Sequence, residues 1–435
     1  MVLADDMRAD LLPFMPFVST VLRAEGTELT NMRCNVPRCD PARAGILTGQ
    51  YAQGTANGAY LNESEGIADA ARHSLPVWLS GHVHTAMFGK YLQGLGGTKQ
   101  PGWDTWRVLL PDGEQEAYGY SVTDGSSTDT PDAHQLPHLA SLVSEFVRAA
   151  PEPWFAWFAP TNPHVTTREF LNNPLPESVT RFGWLRWPFV LLEDTATKPS
   201  WIATRPPLTP SVLSRLRHGI RQQVREVRDL DAVVAGLYDD LESTGRLEDT
   251  VVVFASDGGV LYGEQRIGGS GLATTATKDQ PYDACAKVPC IVRGPGFGPG
   301  EVRTHPAVLQ DLTATILALA GATASVPQDG IDLRTPAAEL DDRATLYERK
   351  GDEAFPDGVG IVTATRKLLR WADQRGDDRY EAYDLDTDPD ELVSWANDPT
   401  RRAERDRYDA RLDALLIGPE RVASGGRPEP TTTIP

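Results

Sequence analysis

The sequence has no long apolar run. Its longest apolar stretches, such as Ala232 to Tyr238, reach about seven residues against the ~20 that a membrane-spanning helix needs. That excludes a helical span. Cysteine is scarce, at four among 435 residues, too few for a disulfide scaffold. Positive charge is also short. The 42 Lys and Arg face 61 Asp and Glu, leaving a net charge of −19. That balance disfavours a protein that coats nucleic acid or docks on anionic membranes, since both need basic surfaces. It leaves room for a small anionic substrate, which needs only a few local cations. A basic n-region followed by an apolar core is missing as well, because acids stand at Asp5, Asp6 and Asp10. As it stands the chain reads as cytoplasmic; a segment upstream of Met1 would make it secreted or periplasmic. No internal repeat is present.

What is there is a globular composition, 40% hydrophobic and 24% charged. The length suggests about three domains, or one large domain with an appendage. One pattern occurs four times: a strand-like apolar run that ends in polar residues. Val2 to Ala4 runs into Asp5 and Asp6, Thr85 to Phe88 into Gly89 and Lys90, Trp154 to Ala159 toward His164, and Val251 to Ala255 into Ser256 and Asp257. Continuous apolar strands alternating with helical stretches predict a mostly parallel α/β sheet sandwiched by helices. Ligands of such sheets bind beyond the carboxyl ends of the strands, where these four would deliver Asp, Lys, His and Asp to one edge.

Val224, Val227, Val234, Leu237 and Leu241 keep helical spacing, with Gly245 as the stop. Asp231 lies near that stripe, and solvent or an ion pair at the helix edge accounts for it. A second helix runs from Leu309 to Ala320 and ends at Gly321. Thr123 to Pro137 reads as a loop. A catalytic domain is expected over 1–330. A smaller C-terminal α+β subdomain is expected over 331–423, with strands at Gly360 to Thr365 and Lys367 to Trp371 and an Arg-rich helix near 400–416. The Gly/Pro/Thr-rich tail, 424–435, is expected to be disordered. The pairs Cys34/Cys39 and Cys285/Cys290 invite a four-cysteine zinc reading. Cys290 lies in an apolar strand-like run, however, and Cys34 and Cys285 are better placed as core thiols.

The stretch from Cys39 to Gly49 carries the most chemistry. Pro41 suits the first turn of a helix, Asp40 its cap and Gly49 its end. Cys39 then sits at a helix N-terminus, where backbone N–H groups favour an anion and a lowered thiol pKa. Arg43 lies one turn on. Taken by itself this is a cysteine poised beside an anion-binding helix end, as in a thiolate-dependent phosphatase.

The pattern Cys39-x-Pro41-x-Arg43 followed by Leu47-Thr48-Gly49 resembles the sulfatase family, which belongs to the alkaline-phosphatase superfamily. Further matches follow in family order: Asp5-Asp6; Gly89-Lys90-Tyr91; Pro101-Gly-Trp-Asp-Thr-Trp106; Asn162-Pro-His164; Ser256-Asp257 with Gly263-Glu264; Lys278-x-x-Pro-Tyr282; Arg293-Gly-Pro-Gly296; and Tyr383-Asp-Leu-x-x-Asp-Pro389. The Pro101 to Trp106 stretch is similar to the branch acting on N-acetylglucosamine-6-sulfate.

The resemblance implies a sulfuric ester hydrolase. Cys39 would be oxidised to formylglycine by a formylglycine-generating enzyme. One hydroxyl of the hydrated aldehyde would attack sulfur, and the other would then expel sulfate. Asp5, Asp6, Asp257 and the converted Cys39 would hold calcium, or magnesium in its place. Arg43, Lys90, His164 and Lys278 would hold the nucleophile and the sulfate or move a proton. The expected substrate is a sulfated carbohydrate or aryl sulfate. Gly258 departs from the pattern: relatives carry an Asn there as a further metal ligand, and glycine offers no side-chain oxygen. Two alternatives stay open. One is a phosphonate monoester or phosphodiester hydrolase of the same superfamily, and the other a catalytically degenerate protein that binds sulfated glycans.

Overall fold

A computed structural model describes residues 1–52, 71–164, 191–268, 277–351, 355–372 and 374–417. In it the four apolar runs become neighbouring strands. The strands are β1 (Val2–Ala4), β2 (Thr27–Leu29), β3 (Met32–Arg33), β4 (His84–Gly89), β5 (Thr105–Leu109), β6 (Val122–Thr123), β7 (Thr128–Asp129), β8 (Trp154–Ala159), β9 (Val252–Ser256), β10 (Cys290–Arg293), β11 (Glu301–Arg303), β12 (Ala307–Val308), β13 (Thr345–Arg349), β14 (Gly358–Val362), β15 (Arg366–Trp371) and β16 (Tyr380–Asp384). The main helices are α1 (Cys39–Thr48), α2 (Gln135–Ala149), α3 (Pro210–Ser243), α4 (Gln310–Ala320) and α5 (Arg402–Ile417).

Ten strands form one sheet in the order β11-β2-β10-β9-β1-β8-β4-β5-β6-β7. Its middle, β9-β1-β8-β4-β5, is parallel throughout. Ala4 pairs with Ser256, and Gly89 with Ala159, so the chain leaves β1, β9, β4 and β8 at the same edge. Both faces are covered, as buried parallel strands require. Ile46 and Leu47 of α1 and Leu312 and Ile316 of α4 pack on one face. Leu139 and Val143 of α2 and Val224 and Val227 of α3 pack on the other. Each such side chain contributes roughly 1.5–3 kcal/mol by leaving water.

β13 to β16 form a separate antiparallel meander. Leu412 and Leu416 of α5 pack against its Leu346, Ile361 and Leu368. The fold is therefore the expected α/β sandwich with a small C-terminal α+β unit.

Several local expectations change. The stretch from Thr123 to Pro137 is more than a loop: it contains the end of β6, the edge strand β7 and the start of α2 at Gln135. The predicted helix before β9 reaches back to Pro210, because the Thr209 hydroxyl caps Val212 N–H and proline stands in the first turn. Asp231 is not solvated. It is 4% exposed, and its two oxygens accept the backbone N–H groups of Phe17 and Val18, both at 2.9 Å. It thereby satisfies donors at the start of another helical turn, which spacing within α3 could not reveal. All four cysteines are free and buried, and Cys290 lies in β10. The 424–435 tail lies outside the described residues.

Candidate active site

Asp5 follows β1 and Asp257 follows β9. Their alignment is fixed by backbone bonds: Asp257 N–H donates to the Ala4 carbonyl at 3.1 Å, and Asp5 N–H to the Asn162 carbonyl at 3.1 Å. Asp6 adopts a left-handed backbone, φ 64°, that costs a non-glycine residue energy. Both sides of it are held. Its N–H donates to Asp257 Oδ1 at 3.1 Å, and Gln223 of α3 donates to its carbonyl at 2.8 Å. The kink turns Asp5 and Asp6 toward one point.

Cys39 is the first residue of α1, and Gly49 ends that helix at φ 64°. Asp40 does not cap the helix; its Oδ1 accepts the Gln93 N–H at 3.2 Å. The Cys39 Sγ donates to Asp5 Oδ1 at 3.1 Å and lies 3.8 Å from Asp6 Oδ1. Ligand atoms of Asp5, Asp6, Cys39 and Asp257 all fall within 4.8 Å of one another, and all four residues are buried.

Cations enclose the acids. Lys90 Nζ donates to Asp5 Oδ2 at 2.6 Å. Lys278 Nζ lies 2.5 Å from Asp6 Oδ2 and 3.4 Å from Cys39 Sγ. Arg43 donates from Nε to Asp257 Oδ2 at 2.7 Å and from a terminal nitrogen to the Lys90 carbonyl at 2.6 Å. His164 Nε2 is 3.3 Å from Asp6 Oδ2, while its Nδ1 is buried without a hydrogen-bond partner among the described residues. All eight residues singled out from the sequence thus meet at one sheet edge.

The electrostatics differ from one expectation. The helix N-terminus was expected to lower the Cys39 thiol; burial pushes it up instead, and Asp5 adds to this beyond what Lys278 and Lys90 offset. The surroundings thus favour the neutral thiol over the thiolate. Burial also works to raise Asp5, but Lys90, His164, Arg43 and Lys278 together hold it well below the usual carboxylate range. Asp257 is pushed up to about 6, by burial first and then by Asp5, against Arg43. Burial raises Asp6 despite Lys278. Burial brings His164 down to about 3, with Lys278 adding to the effect, so its ring is neutral near pH 7.

The donor set suits a hard cation. Three carboxylates supply oxygen, and replacing the soft Cys39 sulfur by oxygen would complete it. A Cβ placed on Gly258 would meet the Pro37 backbone at 3.5 Å, an ordinary contact, so space alone does not exclude a side chain there.

Two further features escaped the sequence reading. Trp103 and Trp106 of the Pro-Gly-Trp-Asp-Thr-Trp stretch are core residues, packed with Tyr91 and Trp157. Glu114, outside every motif, is 3% exposed and lies 3.8 Å from Lys90 Nζ.

Among the described residues no helix is long and apolar enough to cross a membrane. The chain is 24% identical to an arylsulfatase of Volvox carteri over 93% of this chain and 71% of that one. It is 24% identical to human N-acetylglucosamine-6-sulfatase over 77% of this chain and 63% of the relative, so it spans just under two thirds of that protein's length. Among solved structures, a protein in complex with its substrate D-glucosamine-2-N,6-O-disulfate superposes with a TM-score of 0.72 at 19% identity, covering 96% of each chain. A phosphonate monoester hydrolase from Silicibacter pomeroyi superposes at 0.68 and 17% identity, covering 97% of this chain and 96% of that one. Identities this low speak for the fold alone. The family model described as Sulfatase matches residues 1–322, and the chain belongs to the sulfatase family.

Proposed function

We propose that this protein hydrolyses the sulfate ester of a short sulfated carbohydrate, with Cys39 as the precursor of its nucleophile. The observation that carries this reading is the convergence of Asp5, Asp6, Asp257 and Cys39 within 4.8 Å, with Lys90, Lys278 and Arg43 directed at the same point. The division into a catalytic domain over 1–330 and a C-terminal subdomain over 331–423 is part of the same proposal.

Asp5, Asp6 and Asp257 would hold a calcium ion, or magnesium in its place, which supplies electrostatic stabilisation of a sulfate oxygen. Formylglycine made from Cys39 would supply the attacking oxygen. Lys278, beside the Cys39 side chain, binds a sulfate oxygen and neutralises charge as the S–O bond breaks. Lys90 does the same from the β4 side. Arg43 fixes Asp257 and the Lys90 backbone, keeping both in register. His164 would assist proton transfer at the leaving oxygen, or hold the sulfate, through Nδ1. Cys39, Pro41 and Arg43 are all buried in α1, so a formylglycine-generating enzyme must reach them before α1 packs onto the sheet.

The phosphonate hydrolase reading is weighed by the test. Aryl sulfate, aryl phosphonate monoester and aryl phosphodiester are compared with one preparation. A larger kcat/KM for the sulfate supports the proposal. A larger value for either phosphorus ester overturns it.

A further inference from the structure

Lys90 stands between two carboxylates. Its Nζ donates to Asp5 Oδ2 at 2.6 Å and lies 3.8 Å from Glu114 Oε1. Lys90 is 1% exposed and Glu114 3%, so solvent screens neither charge well.

Glu114 is held firmly. Its Oε1 accepts from Gln93 Nε2, and the Gln93 backbone N–H donates to Asp40 Oδ1, next to Cys39. The Glu114 carbonyl accepts from Gln135 Nε2 at 2.7 Å, and Gln135 Oε1 accepts from the Thr161 hydroxyl at 2.6 Å. The Thr161 carbonyl in turn accepts the His164 N–H at 2.8 Å. Glu114 is thereby tied both to the helix start that carries Cys39 and to the loop that carries His164.

Asp5 is contested: Cys39 Sγ donates to its Oδ1, and Arg43 lies 3.8 Å from its Oδ2. Lys90 uses its Oδ2 as an acceptor, and a divalent cation in the carboxylate cluster draws on the same group. Two positive charges crowded on one carboxylate repel each other at short range. The ammonium is the mobile partner, because its stem is flexible.

We propose that Glu114 is a positioning residue that takes the Lys90 ammonium from Asp5 as a divalent cation binds, so that lysine and cation share the site. This rests on the metal reading above.

The test is calcium titration by calorimetry on the full chain, in wild type, Glu114→Gln, Lys90→Met and the double variant. Glu114→Gln should weaken calcium about tenfold, the scale of changes in groups that orient metal ligands. In the Lys90→Met background the same change should have little effect. Glu114→Asp, which keeps the charge on a shorter stem, should recover part of the affinity. A tenfold loss in both backgrounds would mean that Glu114 acts only as a nearby negative charge. That result, or unchanged affinity in Glu114→Gln, overturns the proposal. No calcium uptake by wild type would instead overturn the metal reading, and this inference with it.

Discussion

Among the described residues, two of the clusters of buried charge are built differently. At the sheet edge each carboxylate is met by an ammonium or guanidinium: Asp5 by Lys90, Asp6 by Lys278, Asp257 by Arg43. Between the large sheet and the C-terminal meander, Glu381 is fully buried as well. Its oxygens accept from the hydroxyls of Tyr282 and Tyr383 and from Trp371 Nε1. Lys198 beside it donates to the Tyr383 hydroxyl at 2.6 Å and lies over that ring at 4.6 Å.

Buried charge alone is therefore no signature of a site. In the second cluster rigid aromatic donors use up the carboxylate, and the ions act as a lock between two units. In the first, the cations surround the Cys39 thiol at the carboxyl ends of parallel strands. One stretch serves both clusters. Lys278 reaches the candidate active site, while Tyr282, four residues on, binds Glu381.

Substitutions in the two clusters should have opposite effects. Cys39→Ala should lower kcat by roughly 10⁴-fold, about 5 kcal/mol of barrier, with the unfolding midpoint little changed. Retained turnover, measured on aryl sulfate, would remove Cys39 from its role. Lys198→Ala should do the reverse. Removing one partner of a buried pair costs about 3–5 kcal/mol of stability, read by urea unfolding, while kcat per folded molecule stays the same. A fall in kcat without a fall in stability would erase the distinction between the clusters. Gly258→Asn should have the smallest effect: a new amide oxygen beside Asp257 should tighten calcium about tenfold, near 1.4 kcal/mol, by calorimetry. Unchanged affinity would show that this position does not face the ion.

Much of the site was legible because its residues follow apolar runs that must become central strands. Asp5, Lys90, His164 and Asp257 are each a few residues beyond such a run, and parallel packing brings those ends together. The α1 helix was legible from Pro41 and Gly49, which punctuate it locally. What stayed hidden depends on contacts distant in sequence. Glu114 carries no local signal, and only the pairing of β4 with β5 and the fold of the loop beyond bring it to Lys90. Asp231 looked like a helix-surface acid because its partners, Phe17 and Val18, lie more than two hundred residues away. The direction of the Cys39 thiol failed for a related reason. The helix end could be read from sequence, but the burial and the Asp5 carboxylate that outweigh it could not.

Cys39 is proposed above as the precursor of the nucleophile at this sheet edge. Mass spectrometry of the tryptic peptide Cys39–Arg43, taken from a preparation that turns over a sulfate ester, tests it most directly. Conversion of the thiol to the aldehyde predicts a peptide lighter by about 18 Da. An active preparation whose peptide keeps the full mass of the thiol would remove Cys39 from that role.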